Sequence, residues 1–221
     1  MPEKEPPLTT LHFTPESEAV IHLRQSDAVL ARVIDAVGPI ELSLRDDRFT
    51  SLARAIVGQQ LSVSAARTIW SRFADLAGDI DAATVAGLDE DAIRGVGLSR
   101  AKAAYVRDLA VRVLDGTVEL DRFDEMQDEA IIEELIRVKG IGRWTAQMFL
   151  IFSLGRPDVF AVDDLGLRRS MRRIYRLSDD VSPVALATLA ESWRPYRSAA
   201  SLYLWEALDA KLPIDSEASL G

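Results

Sequence analysis

Residues 135–164 read LIRVKGIGRWTAQMFLIFSLGRPDVFAVDD. Lys139-Gly140-Ile141-Gly142 makes a short turn between two apolar runs of helical period. Two glycines one residue apart let backbone N–H groups come close to an anion, because neither carries a Cβ. The next helix begins at once, and its positive end favours the same anion. Gly155, Arg156 and Pro157 then interrupt the chain, and Val159-Phe160-Ala161-Val162 runs into Asp163-Asp164, a carboxylate pair that opens a further helix. One supersecondary unit thus holds a phosphate grip and an acid or base.

Charge is uneven around this stretch. From Arg137 to Arg176 nine basic residues face only Asp158, Asp163 and Asp164, so the window carries +6 and the remainder −15 in a chain of net charge −9. So acidic a chain does not coat nucleic acid indiscriminately. A local positive face on an acidic body suits a protein that meets phosphate in one orientation. Arg168 to Arg176 taken alone reads equally well as a solvated helix face.

The 221 residues suffice for one large domain or two small ones, and 48% hydrophobic content supports a proper core. The absence of cysteine excludes disulfides, thiolate zinc and an iron–sulfur cluster, and fits a reducing compartment. No apolar run reaches the about 18 residues of a membrane span, and Met1 to Pro7 is polar and proline-rich, unlike an export signal. His12 and His22, the two histidines, lie outside the glycine turn, so no side-chain metal site is evident.

Helical periodicity dominates, and nothing reads as a strand. Thr14-Pro15 predicts a cap and first turn for a helix through about Arg24, and Ser26 a cap for Ala28 to Val37. Further helices are predicted over Phe49 to Val57, Val63 to Leu76 after Ser62, Arg100 to Leu114 after Ser99, Asp128 to Arg137, Arg143 to Leu154 and Leu165 to Tyr175. Ser182-Pro183 starts one to Trp193, Pro195 starts the last, to about Lys211, and the polar tail Pro213 to Gly221 reads as disordered. Gly95-Val96-Gly97 echoes the later glycine pair, as a second hairpin turn or as an ordinary helix connection. Two lobes are expected, 1–47 with 165–221 and 48–164 carrying the hairpin.

These residues resemble the helix-hairpin-helix (HhH-GPD) DNA glycosylases, and within them the 3-methyladenine DNA glycosylase II branch. The matching motifs are AIVGQQLS (55–62), GLSRAKAAYVRDLA (97–110), VKGIGRWTA (138–146), DVFAVDDLGLRR (158–169) and WRPYRSAASLYLWE (193–206). The set is specific where a lone glycine pair would be weak. The resemblance implies an all-α, two-lobed helical fold, here without the N-terminal β-rich domain of larger members, since the roughly 45 residues before the match read helical.

It also implies a chemistry. Such enzymes evert a damaged nucleotide and cut its N-glycosidic bond, and a carboxylate stabilises the oxocarbenium-like sugar and activates water. Asp164 matches the catalytic aspartate, at a helix start that favours negative charge. The plainer alternative makes Asp163 and Asp164 two helix-capping residues. Strand-nicking members carry a lysine at the second position after the hairpin's last glycine. Trp144 stands there, and an indole forms no Schiff base, so the chain resembles a monofunctional glycosylase without lyase activity. Trp144 and Trp205 match the aromatic base pocket, where indole faces attract a cationic alkylated purine, and Met148 replaces a pocket tyrosine. Both tryptophans fit core packing otherwise, as Trp70 and Trp193 are read. Gln59, Gln60 and Leu61 match the loop that fills the gap left by eversion, with Gln60 at the usual leucine wedge; a polar turn capped by Ser62 is the other reading. Lys139, Gly140, Ile141, Gly142 and Arg143 match the phosphate contacts. The resemblance implies no required cofactor, with a structural sodium or potassium ion on the backbone carbonyls of Ile136, Val138 and Ile141.

The implied protein is a monomer working on alkylated bases in double-stranded DNA, away from membranes, in a bacterial-type cytoplasm at the nucleoid. Two other readings stay open: a glycosylase for uracil, hypoxanthine, an etheno adduct or an oxidised purine, and a non-catalytic hairpin protein that binds damaged DNA.

Overall fold

A computed structural model describes residues 9–45 and 47–210. The described chain runs through strand β1 (Thr10–Phe13), helices α1 (Glu18–Ser26) and α2 (Ala28–Val37), strand β2 (Ile40–Ser43), and helices α3 (Arg48–Gly58), α4 (Val63–Ala77), α5 (Ala82–Gly87) and α6 (Glu90–Gly95). It continues through α7 (Arg100–Leu114), a 3₁₀ turn at Leu120–Glu125, α8 (Asp128–Leu135), α9 (Arg143–Phe152), α10 (Leu165–Ile174), α11 (Pro183–Leu189), a second 3₁₀ turn at Ala190–Trp193, and α12 (Arg197–Asp209). The fold is helical, as expected. The exception is an antiparallel pair, with Thr10 opposite Ser43 and Phe13 opposite Ile40. Four-residue strands are too short to alternate visibly, so the helical reading of the first 45 residues missed them. The predicted disorder of Pro213 to Gly221 and the helix end at Lys211 lie outside the described residues.

Two compact units divide the chain: Arg45–Leu154, and the described residues within 1–44 and 155–221. The chain returns to the terminal unit at Gly155, earlier than position 165, so the Gly/Pro loop and Asp164 fold with that unit.

In the central unit, α3 buries Phe49, Leu52, Ala53, Ile56 and Val57, and α7 buries Ala103, Val106, Leu109 and Ala110. Ser62 and Ser99 cap α4 and α7 as predicted, their hydroxyls accepting the Ala65 and Lys102 amides. α5 and α6, six residues each, are too short for a full apolar period and were not foreseen. Val96 to Ser99 connects α6 to α7.

The terminal unit packs around α12, which buries residues on every side, among them Tyr203 and Leu204 against Leu23, Leu30, Leu167, Met171 and Trp193. Thr14-Pro15 turns ahead of α1, whose N-cap is Ser17. Asp27, not Ser26, caps α2. Its Oδ1 accepts the amides of Val29 (2.9 Å) and Leu30 (3.0 Å), and its Oδ2 accepts the Tyr175 hydroxyl (2.7 Å) and the Trp193 indole N–H (2.8 Å). Burial pushes this carboxyl's pKa up, but the Leu30 amide, Trp193, Tyr175 and the Val29 amide outweigh burial and hold it below the usual range. Burial, with Asp27 alongside, pushes the Tyr175 phenol the other way.

A depressed carboxyl contributes stability that is complete above its unfolded pKa of about 3.9 and is lost as pH falls through the folded value. Replacing Asp27 with Asn is expected to cost about 2 kcal/mol at neutral pH, through weakened bonds to the buried Trp193 indole and the half-buried Tyr175 hydroxyl. The gap between variant and wild type should narrow as pH falls below that unfolded value and toward the lower folded one. Urea unfolding at pH 7 and pH 3 checks this; an equal gap at both would refute the role of the charge.

Candidate nucleic-acid interface

The turn between α8 and α9 is the hairpin that the glycines predicted. Val138 (1% exposed) and Ile141 (4%) anchor it from beneath, and Lys139, Gly142 and Arg143 face solvent. Gly140 has φ +85°, and a Cβ there would sit 2.2 Å from Cδ2 of Tyr105 on α7. Only glycine allows that ring so close beneath the turn. The Ile141 amide is spent on the Val138 carbonyl (3.1 Å), and the Lys139 amide on Asp108 Oδ2 (2.9 Å). The amides of Gly140 and Gly142 meet no acceptor among the described residues. Gly142 is the N-cap of α9 and supplies no capping side chain. The positive end of α9 therefore faces outward beside two glycine amides, the arrangement that receives an anion. Arg143 is engaged: its two guanidinium nitrogens lie 2.6 Å from the two Glu129 oxygens and hold that carboxyl below its usual range.

The turn also offers oxygen donors. The carbonyls of Ile136 and Ile141 accept no backbone amide among the described residues, and that of Val138 accepts one, keeping a second lone pair. Neutral carbonyls suit a hard monovalent cation. No group of three or more His, Cys, Asp or Glu among the described residues fits a metal ion.

Gln59, Gln60 and Leu61 follow α3, but they do not act alike. The Gln59 side chain turns to the hairpin, and its Nε2 donates to the Gly140 carbonyl (2.7 Å). Gln60 is exposed with φ +57°, and Leu61 is also exposed. Gln60 therefore projects from the loop while Gln59 braces it. Beside them opens a cleft of about 590 Å³, lined by Gln59, Gln60, Trp144, Met148, Phe152 and Arg45 among others. Trp144 is 45% exposed, too open for a core residue, while Trp70 and Trp193 are buried as expected. The hairpin helix thus places Trp144 and Met148, one turn apart, on one apolar wall with the loop as its rim. Sequence reasoning missed Arg45 there, because no periodic or paired signal marks it.

In the terminal unit, the Gly/Pro loop is pinned to α12. The Ser198 hydroxyl donates to the Arg156 carbonyl (2.6 Å) and accepts the Val159 amide (3.0 Å). Asp158 is spent on Arg197 (2.7 Å) and Arg194 (2.6 Å). The anchored loop delivers Asp164 to the start of α10. Asp164 Oδ1 accepts the Leu167 amide (2.7 Å), an N-cap bond, and the Trp205 indole N–H (2.9 Å). Capping and a fixed, half-buried carboxylate are thus combined in one residue, while Asp163 is exposed. Trp205 meets Asp164 through its ring edge, a contact that the match to a stacking pocket did not foresee.

The profile of the HhH-GPD superfamily of base excision DNA repair proteins matches residues 53–195, from α3 through the hairpin and Asp164. The DNA-3-methyladenine glycosylase 1 of Schizosaccharomyces pombe is 32% identical over 211 residues, covering 92% of this chain and 90% of that protein. The chain belongs to the HhH-GPD superfamily. Among solved structures, the Bacillus halodurans DNA-3-methyladenine glycosidase superposes on this HhH-GPD chain with a TM-score of 0.84 at 34% identity, covering 90% of this chain and 92% of that one. The S. pombe 3-methyladenine DNA glycosylase in complex with abasic DNA gives a TM-score of 0.75 at 31% identity, covering 91% and 100%. The Bacillus subtilis protein YfjP, 34% identical over 169 residues, is longer, and the chain spans 59% of it. Among the described residues no helix is long and apolar enough to cross a membrane.

Proposed function

We propose that the chain is a DNA glycosylase that hydrolyses the N-glycosidic bond of alkylated purines in double-stranded DNA, the first step of base excision repair. The observation that carries this reading is Asp164, a carboxylate held by the Leu167 amide and the Trp205 indole at the start of α10 in a member of this superfamily. Positive charge develops at C1′ as the base departs, and a fixed negative charge stabilises it. The C1′–N bond breaks with its electrons on the base, water supplies the new C1′–O bond, and Asp164 takes the water's proton. The everted base enters the cleft beside Trp144 and Met148. A methylated purine that carries positive charge is drawn to an indole by about 1–2 kcal/mol. The amides of Gly140 and Gly142, with Lys139, grip phosphate; Arg143 joins them on leaving Glu129. Gln60, with Leu61 beside it, fills the gap in the stack. The carbonyls of Ile136, Val138 and Ile141 would hold a sodium or potassium ion, which would add positive charge at the phosphate contact.

Trp144 offers no amine, so the product is an unbroken abasic site. A panel of lesion duplexes tests the assignment. Release of 3-methyladenine and 7-methylguanine should exceed that of 8-oxoguanine, with strand breakage only after alkali. Trp144→Ala should slow release of the cationic bases about 5- to 30-fold, the equivalent of that attraction. Faster release of 8-oxoguanine, or a nick without alkali, would overturn the substrate or the monofunctional assignment respectively. Met148 favours a second, broader reading: a flexible thioether adapts to neutral lesions such as hypoxanthine or an etheno adduct. The monomeric state belongs to the same proposal, and light scattering with a duplex bound tests it.

A further inference from the structure

Helix α7 carries Lys102, Tyr105 and Asp108, three residues apart and therefore on one face. The Lys102 ammonium donates to the carbonyls of Val57 (2.8 Å) and Gln59 (2.5 Å), where α3 ends and the loop 59–61 begins. A cation there meets the negative end of α3 and satisfies carbonyls that the helix leaves open. One turn along α7, the Tyr105 ring lies against Gly140, and a further turn on, Asp108 accepts the Lys139 amide while Arg112 holds the same oxygen at 2.8 Å. The Gln59 side chain closes the circuit by donating to the Gly140 carbonyl. The loop and the hairpin are thus fastened to one helix and to each other.

We propose that this face of α7, with Lys102 at its head, is a positioning device that fixes the spacing between the gap-filling loop and the phosphate grip, so that strand capture and side-chain insertion proceed as one rigid event. Lys102 acts through Gln59 and Gln60 and does not touch the reacting atoms. The loop needs such support. Gln60 is held at a positive φ and Leu61 is exposed, so the loop has little burial of its own to resist the stacked duplex. Everting a base costs stacking and pairing, and a filler that gives way under that load offsets none of the cost. Partial burial also holds the Lys102 pKa below its ordinary value.

The inference deepens the proposed function by adding a residue for its flipping step, and its test does not need base release. Full-length wild type, Lys102→Met, Lys102→Arg and Gln59→Met are compared on duplexes carrying 2-aminopurine, whose fluorescence rises on eversion. Lys102→Met and Gln59→Met should each lower the eversion equilibrium about tenfold in a paired duplex, while the affinity of Lys102→Met for undamaged DNA stays within about threefold, because the amides of Gly140 and Gly142 remain. Lys102→Arg keeps a cation at the two carbonyls and should restore most of the signal. Single-turnover release of an alkylated base adds a second readout. The Lys102→Met defect should shrink to about twofold when the lesion sits in a bulge, where little stacking remains to be broken. A defect of equal size on paired and bulged substrates, or unchanged eversion in folded Lys102→Met, overturns the proposal. If Lys102→Met does not fold, Gln59→Met decides on the same comparison. A wild type that everts 2-aminopurine but releases no alkylated base would remove the proposed function and leave this one standing.

Discussion

Asp164→Asn is expected to lose base release by about a hundred- to thousandfold, the scale seen when one preorganised electrostatic contact to a transition state is removed. The substitution is clean for a structural reason. Asn retains an oxygen that accepts the Leu167 amide and the Trp205 indole N–H, and Asn caps helices as well as Asp does. Stability and duplex affinity should therefore stay near wild type, so the loss falls on the charge. Single-turnover excision of 7-methylguanine with a parallel binding titration measures both. Asp163→Asn is the control: its carboxylate is exposed, and its removal should change release less than about threefold if it only borders the cap. A fully active Asp164→Asn would return the pair to plain capping and revive the non-catalytic reading of the hairpin.

Both fold and site were legible where the signal is local. Ser62, Ser99 and Ser182 announce α4, α7 and α11 because a capping hydroxyl reaches an amide only three residues on. Adjacent Ser26 and Asp27 are both competent caps for α2. The choice falls to Asp27 because Tyr175 and Trp193, 148 and 166 residues downstream, need its second oxygen. No window on the sequence contains that information. The site divides in the same way. Gly140 and Gly142 declare a hairpin by themselves, whereas the brace from Gln59 to the Gly140 carbonyl spans 81 residues and the bond from Trp205 to Asp164 spans 41. Arg143 illustrates the limit: its charge suggested phosphate, and the fold places Glu129 against it across 14 residues.

Gly140→Ala is the other substitution with a large expected effect, and it separates two reasons for a glycine. At φ +85° an L-residue carries about 1 kcal/mol of strain, and a Cβ 2.2 Å from Tyr105 forces the ring or the turn to move, at about 1–3 kcal/mol. The expected cost of about 2–4 kcal/mol lies within the about 5–15 kcal/mol that a domain has, so the variant should fold, with its hairpin displaced and DNA affinity down more than about tenfold. Adding Tyr105→Ala should recover the steric part and leave the backbone strain. Gly142→Ala works in the opposite way. Its φ of −94° is ordinary, and nothing lies within 4 Å of the added Cβ, so stability should change by less than about 0.5 kcal/mol. Any loss of DNA affinity in Gly142→Ala therefore reports how closely phosphate approaches the amide, free of any folding cost. Unaltered affinity in both variants would mean that the strand is held elsewhere, and the anion-receiving end of α9 would lose its assigned role.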